Sequence, residues 1–401
     1  MPGLFKFVRG TERASHPIAS SRSLALFAHE RTDARTVKRL AAFRNLGWHT
    51  TGFTFHRMRP GLIDREPPVG NVHLGDTRDR AYGRRLVSLC KGLAILWRER
   101  ATLRRADALY ALNTDNALLA VAARAIASKD LPLFFEIGDI QPPFIGGGVS
   151  SRILRWIERR VLTRTTCLVT TSPAFEREYF RPIQGYRGDI FLLENKVYPS
   201  SGLVEQRAAP PSPGPPWHIG WFGALRCQRS WDTMRVLAAR YPDRLRFVIR
   251  GYPTAIDADA FFEQVTAQPN VEFGGPYRYP DDLPSIHSEL HFVWALDLSQ
   301  LTANSRWLLP NRMYEGGLFH VPMLAARDTE VGRWVESQGV GAVVDGERLE
   351  QDLDELVSKL TVEQWEAWQR RLASIPDAAF AGEADYAALS ARMVDAAAVS
   401  R

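Results

Sequence analysis

Residues 304–325 read NSRWLLPNRMYEGGLFHVPMLA. Pro310 has no amide hydrogen and suits the first turn of a helix, and Asn311 or the residues just before it can cap the exposed donors. The pattern predicts a helix over Asn311–Phe319, then a buried strand over Val321–Ala326 entered through Pro322. A helix N-terminus carries partial positive charge and free N–H groups, which suit a nucleoside diphosphate. Glu315 stands about one turn in, where its carboxylate can accept hydrogen bonds from ribose hydroxyls, and Arg312 can reach phosphate from the helix start. Gly316 and Gly317 remove two side chains, either so that a ligand can approach the backbone or so that the helix can pack tightly on a sheet.

The rest of the chain repeats this strand-and-helix alternation. From Ser23 come SLALFA, a helix near Ala34–Leu46, HTTGFTF, NVHLG, a long helix from about Arg80 to Arg104, ALYALN, a helix near Asn116–Ile126, and LPLFFEI. A helix near Ser151–Leu162, CLVTTS, a helix around Pro173–Phe180 and FLLEN follow. The stretch 201–216 is rich in proline and small residues and reads as a linker. HIGWFG, SWDTMRVLAARYP, LRFVIRG, DADAFFEQVTAQ, VEFGG and HFVWALD then restart the alternation, and after residues 304–325 come GRWVESQ, GAVVD and helices over Leu349–Ser374 and Ala378–Val399. Such alternation predicts an α/β protein of two Rossmann-like, doubly wound domains facing a central cleft. The expected divisions are a basic flexible tail (1–22), an N-terminal domain (23–200), the linker (201–216), a C-terminal domain (217–376) and a C-terminal helix (377–401).

A chain of 401 residues exceeds what one core usually serves, and 45% hydrophobic with 24% charged residues is an ordinary globular composition. Cys90, Cys167 and Cys227 are far apart, so neither a disulfide framework nor a zinc site is indicated, and a reducing cytoplasm fits. Net charge is +6, yet residues 1–105 hold 21 Lys and Arg against 8 Asp and Glu, so the N-terminal part is expected to face an anionic surface. No apolar run is long enough to span a bilayer, and the opening residues lack the apolar core of a secretory signal.

On PNRMYEGGLFHVPMLA the chain resembles the donor-site segment of GT-B glycosyltransferases of the family 4 type, where a glutamate precedes by seven residues a proline that opens a short buried strand. The resemblance implies that Glu315 holds the ribose of a nucleotide sugar. Retaining members usually carry a second glutamate eight residues earlier, and here that position is Trp307. The run from Ser23 to Arg57 resembles the N-terminal segment of bacterial exopolysaccharide glycosyltransferases of the succinoglycan-assembly type.

Asp139 follows the strand LPLFFEI at its carboxyl end, where an acid can take a proton from an acceptor hydroxyl; similar two-domain sugar transferases use an aspartate at the matching place. Its other reading is a turn cap or an arginine partner. Glu136 is a rival base, but inside the apolar run it reads rather as a structural pair. Gly146, Gly147 and Gly148 read as a mobile acceptor-side loop. His29 and Asp33, between the first strand and its helix, are candidate acceptor contacts. In GWFGALRCQRS, Gly223 permits a tight turn and Arg226 can reach diphosphate oxygens, with Arg229 as its rival; the family has a basic residue near this loop. Arg250 ends the next strand at the expected base-binding edge. Asn311, Arg312, Gly316 and Gly317 complete the expected donor site.

Asp257 and Asp259 match a metal-binding DxD but open a helix, so they read as first-turn acids, and neither a metal nor another cofactor is expected. No GxGxxG follows either first strand, which weighs against a nicotinamide dehydrogenase. The basic amphipathic helix from Arg80 to Arg104 can lie on anionic lipid, whereas no stacking aromatics point to nucleic acid. The expectation is an inverting, cytoplasmic glycosyltransferase, a hexosyltransferase, docked peripherally on the inner membrane, that moves sugar from a nucleotide-sugar donor to a lipid-linked saccharide. A nucleotide-sugar epimerase and a non-catalytic nucleotide-binding assembly protein are the alternatives.

Overall fold

Short, largely apolar runs such as ALYAL and LFFEI suit strands covered on both faces. In the computed structural model, which describes residues 22–57, 69–77, 91–299 and 304–400, they are the middle of a parallel sheet. Its strands are β1 (Ser23–Ala28), β2 (His49–Arg57), β3 (Asn71–Thr77), β4 (Ala108–Leu112), β5 (Leu133–Ile137), β6 (Cys167–Thr170) and β7 (Ile190–Leu192), in the order β3-β2-β1-β4-β5-β6-β7. A second parallel sheet holds β8 (Trp217–Leu225), β9 (Leu245–Pro253), β10 (Val271–Phe273), β11 (Phe292–Trp294), β12 (Met323–Ala326) and β13 (Gly341–Val344), in the order β10-β9-β8-β11-β12-β13. These are the two doubly wound domains read from the sequence. Strand order reverses between β1 and β4 and between β8 and β11, which opens a crevice at the carboxyl ends of both sheets.

Several boundaries differ from the sequence reading. The helix of the opening stretch spans Asn311–Leu318 with Pro310 itself as the N-cap and no side chain capping it, so the first amide donors stay free of side-chain partners. Strand β8 does not end at Gly223; it runs to Leu225, paired with β9 throughout. Residues 1–21 of the basic tail and 80–90 of the long basic helix lie outside the described residues.

The chain crosses between the domains twice, side by side. Val197 donates its amide to Phe380 O at 2.8 Å, and Gly382 donates to Val197 O at 2.9 Å. After the second crossing the Glu383–Val399 helix packs on the first domain, where Tyr386, Leu389 and Met393 join Leu24, Leu26, Phe43 and Tyr110. This seating rests partly on a buried ion pair. Arg39, on the Ala34–Asn45 helix, donates to both oxygens of Glu136 on β5 (2.8 and 2.9 Å) and also to the Tyr386 hydroxyl, while the Tyr110 hydroxyl donates to Glu136. Glu136 is thus the structural pair expected.

Removing one partner from such a pair leaves a buried charge uncompensated, so Arg39→Met should cost about 3–5 kcal/mol in urea unfolding. Adding Glu136→Leu should recover most of that loss. A cost confined to the double variant would overturn this account.

Candidate active site in the cleft

Five segments meet at the cleft: the loop after β5, the start of the Ala34–Asn45 helix, the loop after β8, the loop after β11, and residues 304–318. Asp139 is the second residue past β5, with its side chain 33% exposed. Arg35 Nη2 donates to Asp139 Oδ2 at 3.2 Å, and Asn304 Nδ2 donates to Oδ1 at 3.1 Å. Gly138 makes the first contact feasible, because a Cβ there would fall 1.9 Å from Arg35 Nη1. Asp139 thus has the arginine partner of its second reading, and its side chain stays partly exposed.

Glu315 is 2% exposed, and its Oε2 has no hydrogen-bond partner. Burial pushes its carboxyl up to about 7, against the pull of Lys38 and Arg312. Lys38 reaches this place from the first domain; its ammonium donates to Lys196 O at 3.0 Å and stands 5.1 Å over the Tyr279 ring. Burial, with repulsion from Arg39, brings Lys38 down to about 7. Tyr277 and Tyr279 feel the same carboxylate, since burial first and the Glu315 charge next raise both hydroxyls.

Arg226 follows β8, half-exposed, and is held by Asp297: Nε donates to Oδ2 at 2.9 Å, and Nη2 bonds the same oxygen. Asp297 is buried and also accepts from the Ser299 hydroxyl at 2.6 Å. Burial lowers the Arg226 pKa, but attraction to Asp297 and, less strongly, to Asp139 across the cleft outweighs it. The guanidinium is thereby fixed at the carboxyl end of β8 with its Nη1 donors outside that pair.

Other expected residues turn out to serve packing. Arg312 is buried and donates to Leu296 O at 3.0 Å and Phe222 O at 3.5 Å, clamping the ends of β11 and β8 rather than pointing outward. Arg250 is half-buried and donates to Gly274 O at 2.8 Å. A Cβ on Gly316 would stand 2.7 Å from Val293 Cγ2, and one on Gly317 would stand 2.2 Å from Phe380 Cε1. Close packing on β11 and on the second crossing, not access for a ligand, explains both glycines. Gly223 has φ +98° and pairs with Gly251 across β8 and β9, where a Cβ on Gly251 would meet Gly223 O at 1.9 Å; it lies inside a continuous strand pairing and makes no turn.

Asp33 caps its helix by accepting from Arg35 N at 3.0 Å. His29 lies at the end of β1, its Nδ1 3.4 Å from Asn113 Nδ2. Asn311 is exposed at the start of its helix. Arg229 donates to Glu347 O at 2.9 Å, away from this group. Asp257 caps the Ala258–Thr266 helix through Ala260 N, as a first-turn acid does. Trp307 packs on the first-domain core, its carbonyl accepting from the Ser172 hydroxyl. Sequence reading missed Lys38, Asp297 and Asn304. An acid ending the apolar run HFVWALD was a usable signal for Asp297, whereas nothing local marks the other two.

Two Rossmann-like domains facing a cleft lined by these charges define the GT-B class of sugar transferase. A family profile described as a glycosyl transferase 4-like domain matches residues 32–196. The succinoglycan biosynthesis protein ExoL of Rhizobium meliloti (strain 1021) is 37% identical over 288 residues, covering 70% of this chain and 71% of that protein. Sucrose-phosphate synthase from Thermosynechococcus elongatus superposes with a TM-score of 0.67 at 14% identity, over 94% of this chain and 100% of that one. HepE of Anabaena, solved in complex with UDP and glucose, gives a TM-score of 0.63 at 14% identity over 93% and 99%. The chain belongs to this glycosyltransferase 4-like family and is a glycosyltransferase.

The Lys38–Glu315 pair gives stability a definite pH dependence. Glu315 holds its proton more tightly when folded, so its contribution is fully present below about 4.5 and is lost as pH rises to about 7. Lys38 holds its proton less tightly when folded, so stability returns between about 7 and 10.5. The pair should therefore place a shallow minimum near neutral pH in Tm against pH, and Lys38→Met with Glu315→Gln should flatten it. An unchanged profile in the double variant would rule the account out.

Proposed function

We propose that this glycosyltransferase moves a sugar from a nucleotide-sugar donor to a lipid-linked saccharide in exopolysaccharide assembly, with inversion at the transferred carbon. The observation that carries the mechanism is the half-exposed Asp139 carboxylate at the end of β5, opposite Arg226. An acceptor hydroxyl gives its proton to Asp139 while its oxygen bonds to the sugar carbon. The bond from that carbon to the diphosphate breaks on the opposite face, and the nucleoside diphosphate departs with the electron pair. Glu315 takes the ribose hydroxyls. Arg226 and the uncapped start of the Asn311–Leu318 helix receive the diphosphate charge, so no metal is required. Trp307, turned to the first-domain core, offers no second carboxylate to that face.

The lipid-linked acceptor has two supports. The relative of shared length is named for succinoglycan biosynthesis. The first domain also carries an exposed basic and aromatic face: Trp97 is 59% and Trp156 55% exposed, accompanied by Leu93, Val149 and Ile153. Arg100 stands 5.7 Å over the Trp97 ring and Arg160 5.2 Å over that of Trp156. The Arg100–Arg105 and Val149–Leu162 helices each contact the Asn113–Ala127 helix. Exposed indoles each capped by an arginine suit the headgroup zone of an anionic, cytoplasmic-side bilayer. Among the described residues no helix is long and apolar enough to cross a membrane.

Asp139→Asn should lower sugar transfer by about 10²–10⁴-fold, the usual worth of a general base, and leave thermal stabilisation by the donor nucleotide intact. Glu315→Ala should abolish that stabilisation. The product linkage should show the opposite anomer to the donor, and EDTA should leave transfer unchanged. Retention of the anomer or full activity in Asp139→Asn would overturn the mechanism. Vesicles containing phosphatidylglycerol should sediment the wild type and release Trp97→Ala/Trp156→Ala, whereas equal sedimentation of both would remove the membrane surface from the proposal.

A further inference from the structure

Asn304 is the place where the second half of the chain touches the proposed base. It is buried, at the head of the Asn304–Trp307 helix, and its amide makes two bonds into the first domain. Nδ2 donates to Asp139 Oδ1 at 3.1 Å, while Oδ1 accepts from the Ile140 amide at 3.1 Å. One rigid side chain therefore bridges the carboxylate and the main chain of the next residue. Neither Asp, which lacks the donor, nor a hydroxyl of shorter reach can make the same pair of contacts.

Its surroundings hold the amide in place. The Trp307 carbonyl accepts from Ser172, and Leu308 packs in the first-domain core, whereas Leu309 and Met313, a few residues on, pack in the second. Residues 304–308 thus form a finger from the second half of the chain, seated on the first domain beside Asp139. Arg35 holds the other oxygen from the first domain, so Asp139 is fixed from both sides of the cleft.

We infer that Asn304 is a positioning residue: its amide, reaching over from the second half of the chain, holds the Asp139 carboxylate in the orientation that a base needs. This rests on the reading of Asp139 as the base. In that reading Oδ1 accepts the Asn304 N–H and keeps a lone pair for the acceptor proton. The amide donor orients the carboxylate through Oδ1; without it, the side chain keeps only the Arg35 contact at Oδ2.

The test uses the full-length protein with carboxyl-¹³C aspartate, the Asp139 signal being assigned by its loss in Asp139→Asn. The titration midpoint of that carboxyl should rise in Asn304→Ala, which removes a hydrogen bond to the charged form, and rise further, by about one pH unit or more, in Asn304→Asp, which adds a like charge. Thermal unfolding identifies a variant that fails to fold; if Asn304→Asp does so, Asn304→Ser, too short to span both contacts, takes its place and should raise the midpoint as Asn304→Ala does. Midpoints that match the wild type in folded variants overturn the inference. Activity separates the two readings: transfer surviving in Asp139→Asn defeats the base, while an unmoved midpoint with an inactive Asp139→Asn defeats only the role of Asn304.

Discussion

The buried contact between Arg39 and Glu136 is the constraint on which the cleft depends. Both groups are removed from water, which is tolerable only because the guanidinium meets both carboxylate oxygens and the Tyr110 and Tyr386 hydroxyls complete the set. Attraction from Arg39 keeps Glu136 below the usual carboxylate range although burial works the other way. The four residues come from the Ala34–Asn45 helix, β5, β4 and the C-terminal helix. Joining them fixes the end of β5, and with it Asp139, against the helix that supplies Arg35 and Lys38. It also pins the returning C-terminal helix, so the second domain is tied to the first at two adjacent crossings.

Above that network the cleft carries charges of alternating sign contributed by both domains. Arg35 faces Asp139, Asp139 attracts Arg226, Arg226 is held by Asp297, and Arg312 lies between Asp297 and Glu315, which faces Lys38. In a surface setting such contacts would be worth little, but partial burial strengthens each of them. A site built this way supplies fixed dipoles and charges for a diphosphate and a developing oxyanion without reorganising during reaction. Glu315 shows the complementary feature: a buried oxygen without a donor is costly, and ribose hydroxyls would relieve that cost.

Two residue types show how a site can be misread from a sequence. Arginines near strand ends suggested phosphate contacts, yet only Arg226 keeps part of its fork toward the cleft, while Arg312 and Arg250 satisfy main-chain carbonyls. Glycines in the helix suggested room for a ligand, yet Val293 and Phe380 fill the space beside Gly316 and Gly317. Each error has the same origin. A sequence states which group is available but not which neighbour claims it first.

The sequence by itself determined the fold class, because apolar strand runs alternating with amphipathic helices admit little besides two covered parallel sheets. It also placed Asp139 and Glu315 at strand and helix ends that border the cleft, since position within a βα unit fixes which end of the sheet a residue occupies. Only the tertiary structure decided the rest. Lys38 against Glu315, Asn304 against Asp139 and the C-terminal helix against the first domain are contacts between segments remote in the chain, and no local periodicity encodes them. Their existence follows from how two finished domains meet, where burial and charge pairing are settled together.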